Sequence, residues 1–271
     1  MTVSIDLITS ASNPLIKTIR ALDRKKVRSE TGLFMAEGGR LVEQAIDRGW
    51  ELDTLIVSAT GLERPHTEAL LSRAAAAGAR IVQVPDRLAS AIARKDNPQT
   101  VMASVKQRAL ELDQLDAAHP GLWIGLYEIR DPGNLGTILR TADCADVAGI
   151  VMIGQCCDPY SVESVRASMG SLFDVRLGKA ASFDAFNMWR QSAGLNMVAA
   201  SVNGDTTHTA VNFKQPSLIL MGTEQSGLPD SAEAECDTLC LIPMRGGADS
   251  LNLAQATAIM LYEGWRQRGF E

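Results

Sequence analysis

The sequence predicts an α/β protein, with a C-terminal, mostly parallel sheet covered by helices on both faces and a smaller α/β domain before it. Three observations lead there. Short apolar runs of strand length alternate with helix-periodic segments along nearly all of the 271 residues, and such alternation implies parallel strands joined by covering helices. The alternation lapses once, at 107–119 (QRALELDQLDAAH), which is acidic and alanine-rich, so the expected division is 1–106, a linker at 107–119 with room for a short helix, and 120–271. Three of the later runs end in polar, glycine-bearing turns that lead into helices, where parallel sheets place ligands.

In chain order, SNPLIKTIRALDRKKVR (12–28) carries a helix start, with Ser12 or Asn13 as cap and Pro14 at the first helical position. Leu15, Ile16, Ile19 and Leu22 form its apolar stripe. The rest is basic: Lys17, Arg20, Arg24, Lys25, Lys26 and Arg28 against Asp23 alone. Such a face is either simply solvated or able to hold a phosphate backbone, and Lys17, Arg20, Arg24, Lys25 and Lys26 are the candidates for such a contact. GLFMAEGGRLVEQAIDRGW then reads as strand and helix, LDTLIVS as strand, HTEALLSRAAAAGA as a helix ended by Gly78, and ARIVQVP and TVMASVK as strands.

The second half opens with LWIGLYEIRDPGNLGTILRTA (122–142), a buried strand, a turn at Asp131-Pro132-Gly133-Asn134, and a helix expected to be capped by Asn134. GIVMIG (149–154) is a strand, a helix is expected near 161–169, and FDVRL (173–177) reads as strand. A helix at about 182–193, LNMVAAS (195–201), SLILMG (217–222) and TLCLIPM (238–244) follow, and the last leads through RGGADS into a long final helix. Ser250 is the expected cap of that helix, with Asn252 in its first turn.

With 46% hydrophobic and 21% charged residues, the chain can build ordinary cores, and no apolar run is long enough to span a membrane. The N-terminus shows no signal-peptide pattern, so a cytoplasmic location is expected. Five cysteines without CxxC spacing read as buried thiols, and three scattered histidines support neither a triad nor a metal centre. A net charge of −6 excludes a protein coated in positive charge, leaving any nucleic-acid contact to local patches.

The three turns are Arg130–Asn134, Gly222–Gly227 and Arg245–Asn252. In a parallel sheet they share one edge and can converge. Gly222 allows close approach of the backbone, Gly227 a positive φ, and Glu224 is the carboxylate of its turn. Arg140 lies on a helix whose other face is apolar and could sit beside the same crevice. Neither GxxxxGK[ST] nor GxGxxG follows any strand, so the usual nucleotide-phosphate signatures are missing.

DPGNLGTILRTAD (131–143), LILMGTEQSGLP (218–229) and IPMRGGADSLNLAQATAIMLYE (242–263) resemble, in order and spacing, the three motifs of the SpoU, or TrmH-type, RNA ribose 2′-O-methyltransferases of the SPOUT superfamily. NPLIKTIRALDRKKVR with GLFMAEGGRLVEQA resembles their ribosomal-protein-like substrate-binding domain. The second motif departs from the commoner GNE or GSE in reading GTE. The resemblance implies a deep trefoil knot in the C-terminal domain, a homodimer with the pocket at its interface, and S-adenosylmethionine held by backbone groups around Gly222, Ile242 and Leu251. It places Asn134, Arg140, Glu224, Ser250 and Asn252 in the catalytic pocket, and needs no metal.

The implied function is methyl transfer from S-adenosylmethionine to a ribose 2′-hydroxyl of rRNA or tRNA. The alternative is a non-catalytic RNA-binding or ribosome-associated protein that keeps the fold. Because an arginine stays protonated, Arg140 is read as a group that positions the hydroxyl and favours the developing alkoxide, which leaves the proton acceptor open.

Overall fold

The computed structural model describes residues 3–94, 99–119 and 121–270. They divide into two compact units, Met1–Arg108 with Asp158–Asp174, and Ala109–Cys157 with Val175–Glu271.

The first unit runs β1 (Asp6–Leu7), α1 (Pro14–Ala21), α2 (Lys25–Thr31), β2 (Leu33–Glu37), α3 (Gly39–Asp47), β3 (Leu52–Ser58), α4 (Ala59–Leu62), α5 (Thr67–Ala76), β4 (Arg80–Val84), α6 (Asp86–Ala93) and β5 (Val101–Lys106). Its sheet order is β1-β4-β3-β5-β2, with β5 antiparallel to both neighbours. Asn13 caps α1 by accepting from Leu15 N at 2.9 Å, and Pro14 takes the first helical position, where its missing N–H costs nothing. Ile16, Ile19 and Leu22 bury against Ile56, Val82, Leu88 and Met102.

The single basic helix expected over 12–28 is two helices, broken between Leu22 and Arg24. The break has a partner. Arg28 turns inward, 3% exposed, and its Nη1 donates to the carbonyls of Leu22 and Asp23 at 2.8 and 2.9 Å, satisfying backbone groups that the helix has released.

The second unit begins with a 3₁₀ turn at Leu112–Gln114, then β6 (Leu122–Tyr127), α7 (Pro132–Cys144) and β7 (Gly149–Ile153). After Cys157 the chain returns to the first unit as α8 (Val162–Ala167), and it comes back as β8 (Leu177–Ala180). Then follow α9 (Phe183–Ser192), β9 (Asn196–Ala200), β10 (Thr206–Thr207), β11 (Ser217–Met221), α10 (Asp230–Glu233), β12 (Thr238–Leu241) and α11 (Leu253–Gln267). The sheet order is β10-β12-β9-β11-β6-β7-β8, and every pairing among the described residues is parallel. Helices cover both faces. Successive residues of a strand point to opposite sides; in β6, Trp123 packs edge-on against Trp189 of α9 at 5.1 Å, while Leu122 lies against Gly264 of α11.

The excursion 158–174 is a departure from the division expected at 107–119, and it replaces the strand expected at 173–177. Phe173 ends a 3₁₀ turn instead, because its ring stacks on Phe34 and meets Trp50, whose Nε1 donates to the Phe173 carbonyl at 3.1 Å. The alternation of Phe173, Val175 and Leu177 looks like a strand, but the aromatic cluster claims its first member and β8 starts only at Leu177. Tyr160 joins the same cluster at 4.9 Å from Phe34. Asp158 anchors the start of the excursion by accepting from Arg28 Nε and Nη2 at 2.9 and 2.6 Å, and Asp174 at its end is held by Gln44 and Arg48.

Candidate active site

Strands β6 and β11 are parallel neighbours in register, Met221 beside Leu126, so the turns that follow them emerge side by side. β12 lies beyond β9, and its turn closes on the other two through the start of α11.

The first turn enters α7 through Asp131, whose side chain accepts from Asn134 N at 2.7 Å; Pro132 occupies the first helical position. Asn134 is therefore the third residue of the helix rather than its cap, and its side chain is free to face the cleft. The last helix shows the converse. Asn252 is its cap, with Oδ1 accepting from Ala254 N and Gln255 N at 2.9 and 3.3 Å, and Ser250 lies outside it. Asp131 and Asn252 each satisfy N–H groups that a helix start leaves unpaired.

Asn252 Nδ2 donates to Asn134 Oδ1 at 2.9 Å, and Asn134 Nδ2 donates to Glu224 Oε1 at 3.3 Å. Glu224 also accepts from the backbone N–H groups of Asp131 and Arg130 at 3.2 and 3.3 Å. One side chain from each of the three turns thus forms a hydrogen-bonded chain, and the carboxylate fixes the backbone where the first turn becomes helix. Its own turn is stiff. Thr223 and Gly227 exchange backbone hydrogen bonds of 2.9 and 3.2 Å, and the Thr223 hydroxyl meets Ser226 Oγ at 2.9 Å. Gly227 has the expected positive φ, 67°. The approach at Gly222 comes from the chain itself: a Cβ there would stand 2.3 Å from the Gly227 carbonyl carbon, so any side chain would open the turn that carries Glu224.

These turns enclose a cleft of about 580 Å³, within the usual range of small-molecule sites. Asn134, Glu224, Ser250, Leu251 and Asn252 line it, as do Glu128, Arg130 and Asp131, which the sequence reading did not single out. An Asp-Pro pair three residues before Asn134 is a helix-start signal that identifies Asp131 as the cap. Gly222 is buried behind its turn and Ile242 is half-buried; neither lines the cleft. Arg140 is also absent from it. It lies six positions beyond Asn134 on an exposed face of α7, and among the described residues its guanidinium has no hydrogen bond or ion pair.

Beside the cleft, burial raises the Cys157 thiol to about 12, helped by Cys156 and by the negative charges of Glu224 and Asp131. Burial also raises Cys156. Both stay protonated at neutral pH, as neutral thiols beside the cleft rather than nucleophiles. Among the described residues no His, Cys, Asp and Glu cluster could hold a metal ion, and no helix is long and apolar enough to cross a membrane.

In the first unit Lys17, Arg24, Lys25 and Lys26 are exposed, with Lys26 3.8 Å from Glu30. Arg20 is half-buried, its Nε without a partner among the described residues.

A family model described as the SpoU rRNA methylase family matches residues 121–262, more than half of the chain, and includes all three turns of the cleft. The chain belongs to the SpoU rRNA methylase family. A second model, an MRM3-like substrate-binding domain, matches residues 13–103. Among curated relatives of this SpoU chain, a 23S rRNA (uridine(2479)-2′-O)-methyltransferase of Streptomyces viridochromogenes is 32% identical over 91% of this chain and 87% of that protein. The 23S rRNA (guanosine(2553)-2′-O)-methyltransferase RlmP of Bacillus subtilis is 25% identical over 94% and 97%. Among solved structures, an AdoMet-bound rRNA methyltransferase from Sinorhizobium meliloti superposes with a TM-score of 0.90 at 41% identity, covering 97% of this chain and 98% of that one. The SpoU methyltransferase AviRb from S. viridochromogenes with AdoMet gives 0.81 at 30%, covering 96% and 100%.

The cleft fits that cofactor. Its volume is ample, the side chains of Leu251 and Leu253 offer apolar surface, and the carboxylates of Glu128, Asp131 and Glu224 suit a ligand carrying a sulfonium and an ammonium.

Proposed function

We propose that this SpoU family member transfers a methyl group from S-adenosylmethionine to a ribose 2′-hydroxyl of rRNA or tRNA. The observation that carries the reading is the chain Asn252–Asn134–Glu224, which ties all three family motifs into one cleft. The cofactor, when bound, supplies a methyl group activated on a sulfonium sulfur. The protein's part is alignment and charge. Glu224 fixes the start of α7, Asn134 and Asn252 offer hydrogen bonds from a braced pair, and Ser250 adds a hydroxyl at the rim. Gly222, Ile242 and Leu251 are the proposed backbone contacts of the cofactor.

Arg140 is the proposed group that steadies the reacting oxygen, and it stands outside the cleft of its own chain. That supports a homodimer in which each cleft receives Arg140 from the partner copy. The trefoil knot, a cytoplasmic setting, and residues 1–106 as an RNA-holding domain with Lys17, Arg20, Arg24, Lys25 and Lys26 as its contacts belong to the same proposal.

The test is transfer of labelled methyl from S-adenosylmethionine to total ribosomal and transfer RNA from cells lacking the protein, followed by nucleoside analysis. A labelled 2′-O-methylnucleoside is expected. Cofactor binding without transfer to free RNA or to ribosome-assembly particles would sink the enzymatic reading in favour of a non-catalytic RNA-binding protein.

A further inference from the structure

The cleft contains one cation. Among the described lining residues, Arg130 is the single Lys or Arg, set among three carboxylates. Those carboxylates are already engaged: Asp131 caps α7, Glu224 accepts from two backbone amides and Asn134, and Glu128 accepts from Arg130 Nη2 at 3.2 Å. A guanidinium offers five N–H donors in a planar fork, and this bond uses one. Four remain. The Arg130 side chain is 65% exposed, whereas Asn134 and Glu224 are half-buried, so the donors stand at the open side of the site.

The support beneath this arginine is unusual. Glu128 holds a left-handed backbone with φ 47°, which side chains other than glycine rarely adopt, and its N–H is tied to the Ile153 carbonyl at 3.0 Å. The turn it makes at the end of β6 lays its side chain over Gly154 and leaves its carboxylate within reach of Arg130. A costly backbone conformation is thus retained at the residue that orients the one cation of the cleft.

We propose that Arg130 binds a phosphodiester of the RNA substrate next to the ribose being modified, with Glu128 as its positioning residue. This rests on the reading of the site as an RNA ribose methyltransferase. A planar fork matches two phosphate oxygens at once while keeping its bond to Glu128. Without such a cation, the carboxylates around the cleft would repel a polyanion from the place where its ribose must enter.

The test compares Arg130→Ala, Arg130→Lys and Glu128→Gln with the parent, using the RNA class that accepts methyl. Arg130→Ala is expected to raise the KM for RNA about tenfold with kcat changed far less, and to lower the salt slope of RNA binding by about 0.7, the share of one phosphate on a single strand. Affinity for S-adenosylmethionine, measured by calorimetry without RNA, should not change. Arg130→Lys should restore the slope but only part of the KM, since a point charge cannot make the fork, and Glu128→Gln should raise KM by about threefold. An unchanged KM and slope in Arg130→Ala would overturn the proposal. So would weakened cofactor binding with RNA binding intact, which would assign the fork to the cofactor's carboxylate. If the parent methylates no RNA, the functional reading fails separately, and the RNA-binding slope still decides for or against Arg130.

Discussion

Replacing Asp158 with alanine should cost the first unit about 3–5 kcal/mol, because it strips the acceptor from a buried guanidinium. The Arg28 side chain is 4% exposed and Asp158 15%, so water cannot take the carboxylate's place without opening the core. Two donors, Nε and Nη2, lose their acceptor, each bond to a charged group being worth about 1.5–3 kcal/mol, while Nη1 keeps the carbonyls of Leu22 and Asp23. The Tyr160 N–H, which donates to Asp158 Oδ1 at 2.9 Å, loses its acceptor as well. Asp158→Asn keeps an acceptor without the charge and should cost about 1–2 kcal/mol. Arg28→Met with Asp158→Leu should recover only part of the loss, since the apolar pair needs no solvation but leaves the carbonyls of Leu22 and Asp23 without their donor. Native-state hydrogen exchange gives the readout. Amides of α1, α2 and α8 should lose protection together in Asp158→Ala, and those of β6, β7 and β11 should not. A loss below about 1 kcal/mol in Asp158→Ala would refute the argument that a buried charge is being left unpaired.

Arg140→Ala is expected to abolish methyl transfer while leaving S-adenosylmethionine affinity within about twofold, since Arg140 lies outside the cleft; turnover assays and calorimetry separate the two, and unchanged turnover sinks the assignment. Neutralising Lys17, Lys25 and Lys26 together should weaken RNA binding and reduce its salt slope by about 2, and a slope equal to the parent's counts against that face. Cys144 is exposed, while burial holds Cys157 and Cys236 at about 12 and Cys240 at about 11, so an alkylating reagent at pH 8 should modify Cys144 alone until denaturant is added. The same shifts carry a sign for stability. The folded thiols keep protons that the unfolded chain releases from about pH 9, so stability should fall as pH rises from about 9 towards 12, which alkaline urea titrations would read.

Much of this arrangement is legible in the sequence because burial on both faces makes continuous apolar runs, and each of β6, β7, β9, β11 and β12 falls within one. The caps were harder. Asp131 and Asn134, or Ser250 and Asn252, are capping residues within a few positions of each other; Pro132 decides the first pair in favour of Asp131, and no neighbouring residue decides the second. The choice matters: once Asp131 caps α7, Asn134 becomes available to Glu224 and Asn252. Arg28 reads as one more surface cation because its acceptor is 130 residues away, and Phe173 reads as strand because its aromatic partners are equally remote. The insertion of β9 between β12 and β11 is likewise a long-range fact that no local pattern carries. Glu128 left no trace in composition or period, since its distinction is a backbone angle.

The return of the chain to the first unit has a consequence for how the protein is made. Translation delivers residues in order, and Asp158–Asp174 leaves the ribosome about fifty residues after Arg108. Until then the nascent first unit holds Arg28 without its carboxylate, and Phe34 and Trp50 without the rings of Tyr160 and Phe173. Meanwhile β6, α7 and β7 have all been synthesised. The N-terminal unit thus cannot be completed until the opening elements of the second have been made, and a chain stopped at Arg108 would hold an open aromatic pocket and an uncompensated charge.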